Sequence, residues 1–203
     1  MPVHLIEGDL SPDLLDAYLQ SEYLAIDTET MGLNPHRDRL CLIQLCNEHD
    51  RVTVIRVTSL VMPRLVELLE AERPMKIFHF GRFDLAMLRK NLGVRIESLY
   101  DTKVASKLAR TYTSAHGLKD LVRDVLGFNL DKSAQQTDWG SPNLTSQQLE
   151  YSANDVRYLI QLKSRLDEML SREGRMDLAL KCFKHLPTQA ELDLMGWENL
   201  FEH

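Results

Sequence analysis

Apolar positions along the chain recur with two different periods, and the order of those periods predicts the fold class. Residues 22–29 (EYLAIDTE) carry the short apolar run of a strand. LCLIQLC at 40–46 is almost unbroken and predicts a buried strand, and VTVIRV at 52–57 predicts a third. Helical spacing follows over about 59–71, where Leu60, Leu65, Leu68 and Leu69 recur. KIFHF at 76–80 predicts a strand that runs directly into a helix over about 82–92. Residues 97–101 suit a last brief strand, and 102–111 and 117–126 read as two more helices. Three strands followed by alternating helices and strands indicate an α/β domain with a mixed central sheet flanked by helices.

The polar segment 128–143 (FNLDKSAQQTDWGSPN) reads as an ordered surface loop, anchored by the packing of Trp139. Beyond it Thr145 and Gln148 have the spacing of a capping box, and one helix is predicted from there to about 171. Tyr151, Asp155, Leu159, Leu162, Leu166 and Met169 share one face of that helix, and Leu149, Ala153, Val156 and Ile160 form a second apolar face. One of the two buried faces therefore carries a carboxylate.

A buried carboxylate needs compensation, because an unpaired charge in an apolar setting costs several kcal/mol or takes up a proton. For Asp155 an arginine partner would suffice. Asp27 and Glu29 stand two apart on a predicted strand and so on one face. There they repel each other unless a cation intervenes or the strand has already ended in solvent. Asp84 falls on the first turn of the helix after KIFHF, where it could serve only the helix dipole. Taken together, the four supply carboxylates that an α/β sheet can gather at one edge. An all-oxygen set suits Mg2+ or Mn2+ rather than zinc, and four carboxylates suit two ions about 3.5–4 Å apart, an arrangement fitted to in-line displacement at phosphorus.

Composition bounds this reading without changing it. At 203 residues the chain suffices for a single domain. No basic segment precedes an apolar one at the N-terminus and no stretch approaches membrane-spanning length, so neither a signal peptide nor membrane insertion is expected. The three cysteines show no ligand spacing, and the location expected is cytoplasmic. A net charge of −6 argues against a protein that grips long nucleic acid, although a carboxylate cluster offset by cations accounts for part of it. A short footprint on the substrate is expected.

IDTETMGL (26–33), FHFGRFDLAML (78–88) and YSANDVRYL (151–159) resemble the three exonuclease motifs of the DEDD superfamily, in the branch with tyrosine in the third motif. DTKVASKLA (101–109), HGLKDLV (116–122) and KSAQQTDW (132–139) are similar to the ribonuclease D group, over about residues 22–170. PHRDRLC (35–41), KIFHFGRFDLA (76–86), ARTYT (109–113) and DLMGW (193–197) resemble its short single-domain members, the nanoRNase C type. The resemblance implies a ribonuclease H-like fold and one 3′-5′ exonuclease domain over 1–203, with a catalytic core at about 22–170 and a C-terminal extension at about 171–203. It implies two divalent cations, Mg2+ or Mn2+, and hydrolysis of short single-stranded RNA down to dinucleotides, with DNA cleavage conceivable in vitro. It also implies a homo-oligomer, in the form of an octameric ring. Ribonuclease D-like trimming of structured RNA and a catalytically silent nucleic-acid-binding protein are the alternatives.

On that resemblance Asp27, Glu29, Asp84 and Asp155 are the metal ligands, and Tyr151, one turn before Asp155, orients the attacking water. Leu33, following Met31 and Gly32, resembles a wedge against the substrate's bases. His79 is placed to contact the terminal sugar or phosphate, and Lys132, Gln135 and Gln136 to hold a 5′ phosphate. His116 and Gly117 fit a turn and helix entry. His185 and Trp197 lie in a segment read as a tail or an assembly element.

Overall fold

The computed structural model describes residues 3–130, 138–141, 143–197 and 200. Its strands are β1 (His4–Glu7), β2 (Tyr23–Thr30), β3 (Leu40–Asn47), β4 (Val52–Arg56), β5 (Met75–Phe78) and β6 (Leu99–Asp101). They form one sheet in the order β1-β4-β3-β2-β5-β6. The β2–β3 and β3–β4 pairs are antiparallel, and β1–β4, β2–β5 and β5–β6 are parallel, so the sheet is mixed as the pattern predicts. β3 is buried along its whole length, which is why its sequence shows no alternation.

The helices are α1 (Pro12–Leu19), α2 (Pro63–Glu70), α3 (Arg82–Leu92), α4 (Thr102–Ala109), α5 (Leu118–Leu121), α6 (Ser146–Arg157), α7 (Leu159–Arg172) and α8 (Met176–Leu194). A π-helical turn over Val122–Leu126 continues α5. None of the described helices is long and apolar enough to cross a membrane.

Three parts of the sequence reading need correction. β1 and α1 were not anticipated. β1 is an edge strand with mostly exposed residues, so no apolar period marks it. The start of α1 is set by the Ser11 side chain, which accepts from the Leu14 N–H at 3.3 Å, and by Pro12 in its first turn. The helix docks through Tyr18, whose buried hydroxyl donates to Thr53 Oγ1 at 2.7 Å.

The single long helix expected to about residue 171 is two helices, interrupted at Tyr158. Its capping box at Thr145 and Gln148 is present as the spacing predicts. The break lets the pieces satisfy different partners: α6 lies across β2, β3 and β4, whereas α7 packs on α4. Continuous periodicity cannot report such a change of direction, because both pieces bury a stripe.

The C-terminal segment is not a loose tail. α8 packs on α3 and buries Ala179, Phe183 and Ala190, and the Phe183 ring lies 4.5 Å from that of Tyr100. Asp193 accepts from Arg82 at 2.5 and 2.6 Å, clamping the first turn of the helix that carries Asp84.

Candidate active site

β2 carries Asp27 and Glu29 on one face, and a register irregularity at Glu29/Thr30 bends the strand as it leaves β3. Asp155 comes from α6, which crosses that strand. Oxygens of Asp27, Glu29 and Asp155 lie within 4.8 Å of one another. Asp84, buried on the first turn of α3, lines the same cleft of about 630 Å³, and its Oδ1 accepts from Thr28 Oγ1 at 2.5 Å. The structure thus brings all four carboxylates to one cleft, three as a close cluster and the fourth held beside them by a threonine.

Such crowding is expensive without positive charge. Burial, with Asp84, Asp155 and Glu29 nearby, pushes the Asp27 carboxyl well above the usual carboxylate range. Burial, then Asp155 and Asp84, raises Glu29 from its usual 4.5 to about 9. Burial raises Asp84 to about 7 against the hydrogen bond from Thr28, which lowers it. The donor set is hard oxygen and crowds like charges, which fits divalent cations such as Mg2+ or Mn2+.

A pH dependence follows. Glu29 binds its proton more tightly folded than unfolded, so its contribution to stability is complete below about 4.5 and is lost as pH rises through about 9. Asp27 and Asp84, also raised, act in the same direction. The metal-free protein is therefore expected to lose stability between about pH 5 and 9, and Mg2+ to restore it most at the alkaline end. Thermal unfolding in EDTA and in excess Mg2+ at pH 5.5, 7 and 9 measures this. A metal-induced rise in Tm that does not grow with pH would contradict it.

Tyr151 lines the cleft half-buried, one helical turn before Asp155. Burial, then the charges of Asp155, Glu29 and Asp27, drives its hydroxyl far above the usual tyrosine value, so it stays protonated. Its ring lies 6.0 Å from that of Trp139, which is buried.

His79 also lines the cleft, with its Nδ1 2.9 Å from the Thr102 hydroxyl, which itself lies 3.1 Å from the Phe78 carbonyl. Burial, with the charge of Lys103, pushes this imidazole down to about 3, so it remains neutral.

Of residues 31–33 only Leu33 lines the cleft, with 85% of its surface exposed, which rules out a leucine that closes the core. A side chain at Gly32 would collide with the Asp38 carboxylate. The Met31 sulfur lies beside Gly140. Gly117 lines the cleft and opens α5, and His116 Nδ1 is 2.9 Å from Ser106 Oγ. Lys132, Gln135 and Gln136 lie outside the described residues.

Several contributors were not singled out in advance. Phe80, Phe83, Lys119 and Asn154 line the cleft. Asp101, fully buried, accepts the N–H groups of Phe80 at 3.2 Å, Gly81 at 2.8 Å, Lys103 at 2.8 Å and Val104 at 2.9 Å. It caps α4 and ties down the β5–α3 turn at once. Its position before Thr102 at a predicted helix start was a readable capping signal; its second job was not.

Comparison with known proteins gives the same arrangement a context. The pattern of the 3′-5′ exonuclease family matches residues 7–171. The ribonuclease D of Sphingobium indicum is 36% identical over 160 residues, covering 78% of this chain and 41% of that protein. The chain therefore spans about two fifths of that relative's length. A structure of Brucella melitensis NrnC bound to pGG superposes with a TM-score of 0.94 at 46% identity, covering 100% of this chain and 99% of the other. NrnC from the same organism with bound Mg2+ gives 0.93 at 45% identity, with complete coverage of both chains. A mixed sheet of this order with these neighbours is a ribonuclease H-like fold.

Proposed function

The chain belongs to the 3′-5′ exonuclease family, and from that premise we propose that it hydrolyses short oligoribonucleotides from the 3′ end, dinucleotides included, to nucleoside 5′-monophosphates. The observation that carries this reading is the convergence of Asp27, Glu29, Asp84 and Asp155 with Tyr151 in one open cleft.

In this reading the four carboxylates hold two divalent cations, Mg2+ or Mn2+. Such a pair, when bound, supplies the acidified water and offsets charge on the departing 3′ oxygen. The chain's own groups do the rest. Tyr151 keeps its proton and, with Asp155, orients the attacking water. Leu33 presents its exposed side chain to a base. His79, a neutral ring on the cleft wall, contacts the terminal sugar or phosphate.

A preference for short substrates is supported by the charge of the chain and by its likeness to a protein seen with pGG, a 5′-phosphorylated dinucleotide. Affinity for long polyanions needs many neutralised phosphates. Here binding has to come from the few nucleotides next to the carboxylates. A homo-oligomer belongs to the same reading, supported by Met195 and Trp197, which stand exposed beyond α8.

Single-turnover cleavage of 2-, 3-, 5-, 7- and 20-nucleotide RNAs at matched salt and Mg2+ is the test. Complete conversion of 5′-phosphorylated dinucleotides is expected, at a rate equal to or above that of the 20-mer. If dinucleotides accumulate while longer RNAs are consumed, trimming of longer RNA replaces this reading.

A further inference from the structure

The turn between β5 and α3 holds a bulky residue in a conformation that such residues rarely adopt. Phe80 has φ = 64°, in the left-handed region. Its surroundings enforce this. The N–H groups of Phe80 and Gly81 are both fixed on the Asp101 carboxylate, and any side chain at Gly81 would run into Phe78, 2.5 Å from its Cβ. The result is an aromatic ring turned out of the core and into the cleft, with 49% of its surface exposed.

A second observation concerns the ring's faces. The ammonium of Lys103 lies 3.8 Å from the Phe80 centroid. A cation at that distance is drawn to the ring quadrupole and steadies the ring on one side. The same Asp101 that pins the Phe80 backbone also caps the helix carrying Lys103, through the N–H groups of Lys103 and Val104. One buried carboxylate therefore sets the ring and the cation together. Covering the core would require neither the left-handed backbone nor the exposure.

We propose that Phe80 is a stacking platform for an unpaired nucleobase of the substrate, with Lys103 holding the ring from behind and the opposite face left for the base. The role rests on the exonuclease reading and adds a specificity-determining residue to it. Leu33 stands exposed on the same cleft, so base and ribose have apolar contact from two sides. Holding the 3′ base between Phe80 and Leu33 requires it to leave its stack and its pairing partner, which favours a single-stranded 3′ end.

The test compares wild type, F80A, F80G and F80W on 5′-phosphorylated dinucleotides with both bases, and on the same molecules lacking one base or the other. KM and kcat are read with Mg2+. Binding is read separately by calorimetry with Ca2+ as the probe ion. Stacking on an aromatic side chain is worth roughly a 5- to 150-fold change in affinity. F80A and F80G are expected to raise KM and Kd about tenfold or more while kcat changes little, and F80W to retain wild-type affinity. F80G also relieves the backbone conformation, so its defect reports loss of the ring rather than collapse of the turn. Against one of the abasic dinucleotides wild type and F80A should bind alike, which identifies the stacked base. Equal affinity of wild type and F80A for the intact dinucleotide overturns the platform, as does an equal loss on all three substrates. Tight binding by wild type with no cleavage overturns the exonuclease reading alone.

Discussion

Asp27→Ala is expected to abolish Mg2+-dependent cleavage while leaving the fold intact. Its loss should exceed the roughly 10²-fold typical of removing an outer partner of a metal site, since Asp27 neighbours the three other carboxylates that raise its proton affinity. The same charges make the accompanying stability change informative. Removing one of several mutually repelling carboxylates relieves the metal-free protein, so the Tm of Asp27→Ala in EDTA at pH 8 should equal or exceed that of wild type. Glu29→Ala and Asp155→Ala should behave in the same way. Asp84→Ala should be equally inactive but gain least in stability, because it also strips the Thr28 hydroxyl of its acceptor. Activity is measured on a short end-labelled RNA and folding by thermal melts with and without Mg2+. Near-normal turnover by Asp27→Ala would remove that residue from the mechanism, and a marked fall of its Tm in EDTA would show that the cluster is not under electrostatic strain.

Tyr151→Phe separates the hydroxyl from the ring. The ring's contact with Trp139 survives in phenylalanine, so fold and metal binding should too. The rate is expected to fall by about 10²-fold or more, the usual scale for a positioned proton-handling group. The hydroxyl is held protonated by burial and by Asp155, Glu29 and Asp27, so it acts by orienting water and not as a base titrating in the working range. The pH–rate profile of the variant should consequently run parallel to that of wild type, displaced downward. Single-turnover rates from pH 6 to 9 decide this. Wild-type rates in Tyr151→Phe would leave the tyrosine as packing, and a change in the profile's shape would make it a titrating base.

The sequence was most legible where a local rule acts over a few residues. The two-residue spacing of Asp27 and Glu29 puts both on one strand face, and four residues from Tyr151 to Asp155 make one helical turn. The capping box at Thr145 and Gln148 needs only its own four residues, and it appears where the spacing placed it. The almost unbroken apolar run at β3 announced a strand buried on both faces. Local rules fail where an element earns its place by what it touches. β1 is mostly exposed because it lies at an edge, and the helix after Thr145 breaks at Tyr158, where α6 lies across β2, β3 and β4 and α7 packs on α4. The C-terminal residues look like an appendage until Phe183 is seen against Tyr100 and Asp193 on Arg82.

By itself, then, the sequence determined the alternation of elements, the faces on which the acids stand, and the hard-oxygen chemistry they offer. Only the tertiary structure decided that Asp155 joins Asp27 and Glu29 within 4.8 Å, while Asp84 is held beside them by Thr28. It also decided that a neutral His79 lines the cleft and that Asp101 turns Phe80 into it. The reason is energetic. Bringing like charges together is unfavourable at every local step, and it is sustained by burial of apolar surface spread over the whole sheet and its helices, a sum to which no short stretch of sequence corresponds.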